Sequence, residues 1–220
     1  MTGLRKDASY LLSGGTGGLG RSLSKWLAKN GATNIILASR RGLKNERAAA
    51  IVKEVADLGC RLEVVQCDVS SADEVARLVD ECSKYMPPIR GVIHGAMVLK
   101  DMLFEKSDFG QWSSICEPKI PGAWNLHKAT LKNEIDFFIM LGSASGIIGN
   151  RGQAAYASTC SFLNSFAQYR ASLGLAATCI DIGLVEDVVS WSSDKLSSVH
   201  DADVRCEGIR RRAMAAESLA

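Results

Sequence analysis

The sequence predicts an α/β protein, a parallel sheet doubly wound with helices on both faces. Two observations carry the prediction. Six short apolar runs alternate with stretches of helical period along the chain, and neighbouring parallel strands need a crossover, usually a helix, between them. The first apolar run, at residues 10–12, leads through Ser13-Gly14-Gly15-Thr16-Gly17-Gly18-Leu19-Gly20-Arg21 into the first helical stretch. A glycine-rich turn between strand and helix puts free backbone N–H groups and the positive end of the helix dipole where a phosphate can sit. With right-handed crossovers this is the arrangement of a Rossmann-type sheet, whose ligands lie at the carboxyl ends of the strands.

Each element has its own signal. Leu19, Leu23, Trp26 and Leu27 fall at i, i+4, i+7 and i+8, predicting one inward face of a helix that stops at Asn30-Gly31. Residues 34–38 are the second strand, followed by Ser39-Arg40-Arg41-Gly42. The second helix runs over 45–58, with Ile51, Val52, Val55 and Leu58 on one face and Gly59 as its stop. The third strand covers 62–66. Ser71-Ala72-Asp73-Glu74 predicts a capping box, Ser71 reaching forward and Glu74 back. The helix it opens turns Val75, Leu78, Val79 and Cys82 inward and ends at Pro87-Pro88. The fourth strand, 89–93, leads into His94-Gly95-Ala96. Residues 97–131 are less regular, their second part helical but interrupted by Pro118 and Pro121. The fifth strand is 137–141, and 142–152 is a Ser/Gly-rich loop. A helix over 153–173 closes at Gly174, and the sixth strand is 177–182. From Asp187 onward the pattern weakens: Trp191 to Ser198 reads as loop and 203–219 has helical composition.

Composition excludes several classes. The net charge of +2, with 26 Lys and Arg against 24 Asp and Glu, is neither a nucleic-acid footprint nor a polybasic membrane anchor. The first seven residues hold no apolar h-region, so no signal peptide is expected, and no apolar run reaches the length of a membrane span. None of the seven cysteines forms a Cys-x-x-Cys pair. They read as small core residues of a reducing, cytoplasmic protein, with no metal site.

The segments after each strand carry the chemistry. At the end of the second strand an acidic residue would accept bonds from a ribose 2′-hydroxyl. Arg40 and Arg41 stand there instead and suit a 2′-phosphate, so the cofactor is read as NADPH. Gly14, Gly15, Thr16, Gly17, Gly18 and Leu19 are expected to cradle its pyrophosphate, with Ser39 beside them. Asp68 and Val69, past the third strand, are placed near the adenine, and His94, Gly95 and Ala96 along the ribose and nicotinamide. Ser143 ends the fifth strand, and Tyr156 follows at the start of the next helix. Reducing a carbonyl requires a proton donor for the developing alkoxide. A phenol serves when a nearby cation lowers its pKa from ~10. Lys119 is a plausible cation, and the Ser143 hydroxyl can hold the carbonyl oxygen.

The chain resembles the catalytic part of a ketoreductase domain from a reducing polyketide synthase of the fungal iterative type, a branch of the short-chain dehydrogenase/reductase family. The resemblance runs over residues 8–188. It rests on the glycine loop, Ser39-Arg40-Arg41-Gly42, Gly91-Val92-Ile93-His94-Gly95-Ala96, Lys119-Ile120-Pro121-Gly122-Ala123-Trp124-Asn125-Leu126-His127 and Gly152-Gln153-Ala154-Ala155-Tyr156-Ala157. It implies reduction, by NADPH, of a β-ketoacyl group carried by an acyl carrier protein, with neighbouring synthase domains as partners. The family's Tyr-x-x-x-Asn becomes Tyr156-x-x-x-Cys160 here. A thiol is a poor substitute for a carboxamide, and a slower enzyme is expected. Leu99-Lys100-Asp101 resembles the Leu-x-Asp signature of ketoreductases that give the D-hydroxy product. The Trp of the opposite class is absent, Ile148 standing eight residues before Tyr156.

Family members carry a further strand after a lid helix, and nothing after Gly183 reads as that strand. The expectation is therefore an NADPH-binding catalytic domain over 1–188 whose sheet lacks its last strand. Residues 189–220 would be a loop and helix, a shortened lid region. An excised piece of a synthase and a small stand-alone descendant both fit. Two rival functions stay open, a free-standing reductase of a small carbonyl compound and a non-catalytic NADPH-binding remnant.

Overall fold

The computed structural model describes residues 3–44 and 46–183. Six parallel strands form one sheet in the order β3-β2-β1-β4-β5-β6. They are β1 (Ser9–Ser13), β2 (Asn34–Ser39), β3 (Arg61–Gln66), β4 (Ile89–His94), β5 (Phe137–Ser143) and β6 (Thr178–Ile182). The helices are α1 (Gly18–Lys29), α2 (Glu46–Ala56), α3 (Ala72–Ser83), α4 (Phe109–Cys116), α5 (Ile120–Ala129), the short α6 (Ser145–Ile148) and α7 (Ala154–Ser172). The order reverses between β1 and β4, so their carboxyl ends border the crevice where such sheets bind ligands. The expected doubly wound Rossmann-type architecture is present. The boundary at 188, the tail helix and the lid region lie outside the described residues.

Side chains alternate across the sheet. Leu11, Ile36, Val92, Phe138 and Met140 pack on α3, α5 and α7. Tyr10, Leu12, Ile35, Leu37 and Ile93 face the other way, onto α1 and α2. Every residue of β1 is buried, as expected of a central strand covered on both faces.

Three local expectations change. In α1, Trp26 is 57% exposed, and Ser24, Leu27 and Ala28 are the buried residues. The helix is turned so that Gly20 meets the Gly15 backbone, where no side chain fits. Leu58 lies beyond the end of α2 and is exposed. Ser71 caps α3 by accepting from the Glu74 N–H, but the Glu74 carboxylate accepts from the Asp68 N–H at 2.8 Å rather than returning to Ser71. The reciprocal capping box belongs to α4, between Asp108 and Gln111.

Pro121 opens α5, and Lys119 is its N-cap residue. Arg170, buried on α7, donates to His127 Nδ1 on α5 at 2.6 Å and to the Ala176 carbonyl, with its guanidinium 3.8 Å over the Phe138 ring. This fastens α7 to α5 behind the sheet. Four of the six described cysteines are buried, and no helix among the described residues is long and apolar enough to cross a membrane.

His94 is enclosed at the carboxyl end of β4. Its Nδ1 accepts from the Ser13 hydroxyl at 2.7 Å, and its Nε2–H donates to the Lys119 carbonyl at 3.1 Å. Burial, helped by the Lys119 charge, pulls the imidazole down to about 4. The unfolded chain binds this proton near its ordinary pKa of ~6.5. Between those values the unfolded state holds more protons, so stability is lost as pH falls from about 6.5 toward 4. We expect urea midpoints of the purified chain to fall across this window by an amount equivalent to roughly 3 kcal/mol from this group. The slope against pH should be visibly flatter in His94→Asn.

Candidate active site

Two halves of a site meet along the carboxyl edge of the sheet. The first is the glycine loop. Gly14 takes φ +71°, and a Cβ there would lie 2.8 Å from the backbone of Gly95 and Ala96. The turn therefore needs glycine to lie against the end of β4. The Gly14 N–H donates to the Ala38 carbonyl and Gly95 N–H to Ser13, tying the loop to both neighbouring strands. The N-cap of α1 is Gly17, without a side-chain cap, and its first turn holds no acidic residue. Those N–H groups are thus available to an anion. Thr16 and Ser39 share a 2.8 Å hydrogen bond between hydroxyls, and Arg40 and Arg41 are exposed just beyond. This donor set fits a dinucleotide with an extra phosphate.

The other expected cofactor residues carry contacts within the protein. Asp68 Oδ1 accepts from the Ser70 N–H and hydroxyl, while Val69 is buried with its carbonyl held by Asn125 Nδ2. Both ring nitrogens of His94 are engaged within the protein, with the Ser13 hydroxyl and the Lys119 carbonyl.

The second half is Ser143, Tyr156 and Lys119. Ser143 is half-buried at the end of β5, and its Oγ accepts from the Ser145 N–H at 3.2 Å. Tyr156 lies in the first turn of α7, its hydroxyl against Met97 Sδ at 3.9 Å. Lys119 is 2% exposed, its Nζ 5.4 Å from the centre of the Tyr156 ring. The three residues expected to act together are thus gathered on one edge. The expected lowering of the phenol by Lys119 is not seen at this site: burial pushes it up to about 12, the neighbouring Cys160 adds to the rise, and only the Ser143 hydroxyl works against it. Desolvation lowers Lys119, opposed by Cys160, Cys179 and Asp181.

Several contacts have no counterpart in the sequence reading. Lys119 Nζ donates to the Leu141 carbonyl at 2.6 Å. Gln153 is buried, donating to Asp101 Oδ1 at 3.0 Å and accepting from the Ser145 hydroxyl. The 97–115 segment is thereby closed over the Tyr156 turn, and the Met102 N–H donates to the Gly152 carbonyl beside it. A cleft lined by Met102, Trp112, Ile115, Gln153, Ala155 and Tyr156 opens between them. A backbone carbonyl leaves no sequence signal. Gln153 did leave one, standing three residues before Tyr156.

Comparison with known proteins gives concordant results. The family described as "KR domain" matches residues 8–187. The chain is 48% identical over 184 residues to the highly reducing polyketide synthase phiA of a fungal species (strain ATCC 74256), covering 84% of this chain and 7% of that protein. It is 45% identical over 185 residues to the highly reducing polyketide synthase tstA of Talaromyces stipitatus, again covering 84% and 7%. The chain thus spans less than a tenth of the length of these relatives. Among solved structures, PlmKR1, a ketoreductase from the first module of phoslactomycin biosynthesis in Streptomyces sp. HK803, superposes with a TM-score of 0.83 at 27% identity, covering 88% of this chain and 45% of that one. An A-type ketoreductase from a modular polyketide synthase also gives 0.83, at 32% identity over 93% and 43%.

Proposed function

The chain belongs to the KR-domain family of polyketide synthase ketoreductases, and on that premise we propose that it reduces a β-ketoacyl group to a β-hydroxyacyl group with NADPH. The observation that carries this reading is the Lys119 ammonium behind the Tyr156 ring, at the strand edge that Ser143 closes. When bound, NADPH supplies the hydride. Tyr156 gives its phenolic proton to the developing alkoxide, and Ser143 Oγ holds the carbonyl oxygen. Lys119 stabilises the phenolate left behind, lowering the cost of that transfer, and its remaining N–H groups serve the nicotinamide ribose. The D-hydroxy product is the reading that the resemblance of Leu99-Lys100-Asp101 to the Leu-x-Asp signature supports, with Asp101 accepting from Gln153 at 3.0 Å. The substrate is carried by an acyl carrier protein beside neighbouring synthase domains in the cytoplasm. The test is NADPH oxidation by the purified chain with a carrier-bound β-ketoacyl thioester, beside trans-1-decalone. Turnover of decalone with no gain from carrier attachment would favour a reductase of small carbonyl compounds.

Arg40 and Arg41 set the preference for the phosphorylated cofactor. Replacing both by Ala removes charge-assisted bonds, each worth about 1.5–3 kcal/mol when well formed. Allowing for their exposure, the NADPH dissociation constant should rise by about tenfold, roughly 1.4 kcal/mol. Binding of NADH, titrated by its fluorescence, should hardly change.

A second reading, a cofactor-binding module without activity, is favoured by Cys160. The thiol is fully buried one helical turn beyond Tyr156, packed against Gly146. We expect a slow wild-type enzyme and a higher kcat in Cys160→Asn, measured with the same ketone. Wild-type NADPH binding without turnover, with activity appearing only in the Asn variant, would establish the second reading.

A further inference from the structure

We propose that Asp181 is a positioning residue for the active site, the counter-charge for the buried ammonium of Lys119. This rests on the reading of Lys119 given under Proposed function. The ammonium is almost wholly out of water, and its described hydrogen bond is to the neutral Leu141 carbonyl. A buried cation in such a place loses its proton unless a negative charge lies near. The groups around it come from three elements. They are neutral His94 on β4, Tyr156 and Cys160 on α7, and Cys179 and Asp181 on β6. Asp181 is the carboxylate among them.

Its place is set by the sheet. Asp181 pairs in register with Gly142, the residue after Leu141. A Cβ on Gly142 would collide with Asp181 Oδ1, so glycine at this point of β5 makes room for the acid. Asn164, two turns along α7 from Tyr156, donates to Asp181 Oδ2 at 2.9 Å. The other oxygen, Oδ1, is buried with no hydrogen-bond partner among the described residues. Burying an acid with one oxygen unmet is costly if the side chain only packs. The cost has a function if the charge holds Lys119 protonated where Cys160 supplies no amide. Asp181 acts through Lys119 and touches neither the substrate nor the cofactor.

The experiment is NMR titration of the cofactor-free full chain with lysine labelled at the side chain, Lys119 being assigned by its loss in Lys119→Met. Asp181→Asn keeps the shape and can still accept from Asn164. In it the Lys119 titration should move to lower pH. In turnover the basic limb of the kcat/KM profile should move to lower pH by a similar amount, since a less basic Lys119 is deprotonated sooner. If Asp181→Asn does not fold, Asp181→Ser removes the charge with less bulk and is read the same way. An unmoved Lys119 titration in a folded variant overturns the proposal. A wild type that binds NADPH but turns over no ketone counts against the proposed function instead, and leaves the titration to decide on Asp181.

Discussion

Tyr156→Phe is expected to lower kcat for ketone reduction by about a hundredfold to ten-thousandfold, the range general acid catalysis supplies. The NADPH dissociation constant and the melting temperature should stay close to wild type. The separation is expected because the phenolic hydroxyl meets the Met97 thioether only weakly, at 3.9 Å, and its other polar neighbours are the Cys160 thiol, a poor partner, and the Ser143 hydroxyl, which keeps its bond from the Ser145 N–H. Losing the oxygen therefore costs the fold little. The ring itself remains, and with it the surface that faces Lys119. Loss of NADPH absorbance under single-turnover conditions, beside a fluorescence titration of the cofactor, reads both quantities. A variant that keeps a tenth or more of the rate would remove Tyr156 from the role of proton donor.

Gly20→Ala is expected to damage both stability and cofactor binding. A Cβ there would lie 2.5 Å from the Gly15 carbonyl oxygen and 2.6 Å from its Cα. Both neighbours are backbone, so α1 and the loop have to part. Overpacking of this kind costs about 1–3 kcal/mol. For a domain of this size that is a drop in melting temperature of roughly 2–12 °C. The same movement shifts the N–H groups at the start of α1, so the NADPH dissociation constant should rise by about tenfold or more. Gly110→Ala is the matched control. Its Cβ would meet Oδ1 of Asp108, the N-cap residue of α4, at 3.4 Å, at the near edge of ordinary contact. That substitution should leave the melting temperature unchanged or higher, since Ala is the better helix former.

Most strand and helix spans of the described part were legible because each is signalled within a few residues, whereas the short α6 was hidden in what read as a Ser/Gly-rich loop. β1 and β2 show as unbroken apolar runs since both faces of the sheet are covered. The breaks at Pro118 and Pro121 marked the end of α4 and the start of α5. The face of α1 was misjudged at Trp26, because periodicity gives the spacing of a stripe but not its rotation toward the sheet. That rotation is set by the contact of Gly20 with Gly15. Glu74 was misassigned for a similar reason. The capping signature shows which residues can pair, while the fold brought the Asp68 N–H within reach first.

The sequence by itself determined the Rossmann-type winding, the glycine loop at the first helix, the paired arginines after β2 and the placing of Ser143 and Tyr156 at the strand edge. These are local properties: hydrophobic period, conformational freedom of glycine, and position just past a strand. Only the tertiary structure decided that His94 is sealed between Ser13 and Lys119, that Lys119 is buried and held by a β5 carbonyl, and that Asp181 lies beside Gly142 with one oxygen unmet among the described residues. Each of those depends on segments far apart in the chain arriving together in one register. Burial and charge at a point in space are sums over such neighbours, which residue order along one strand or helix does not contain.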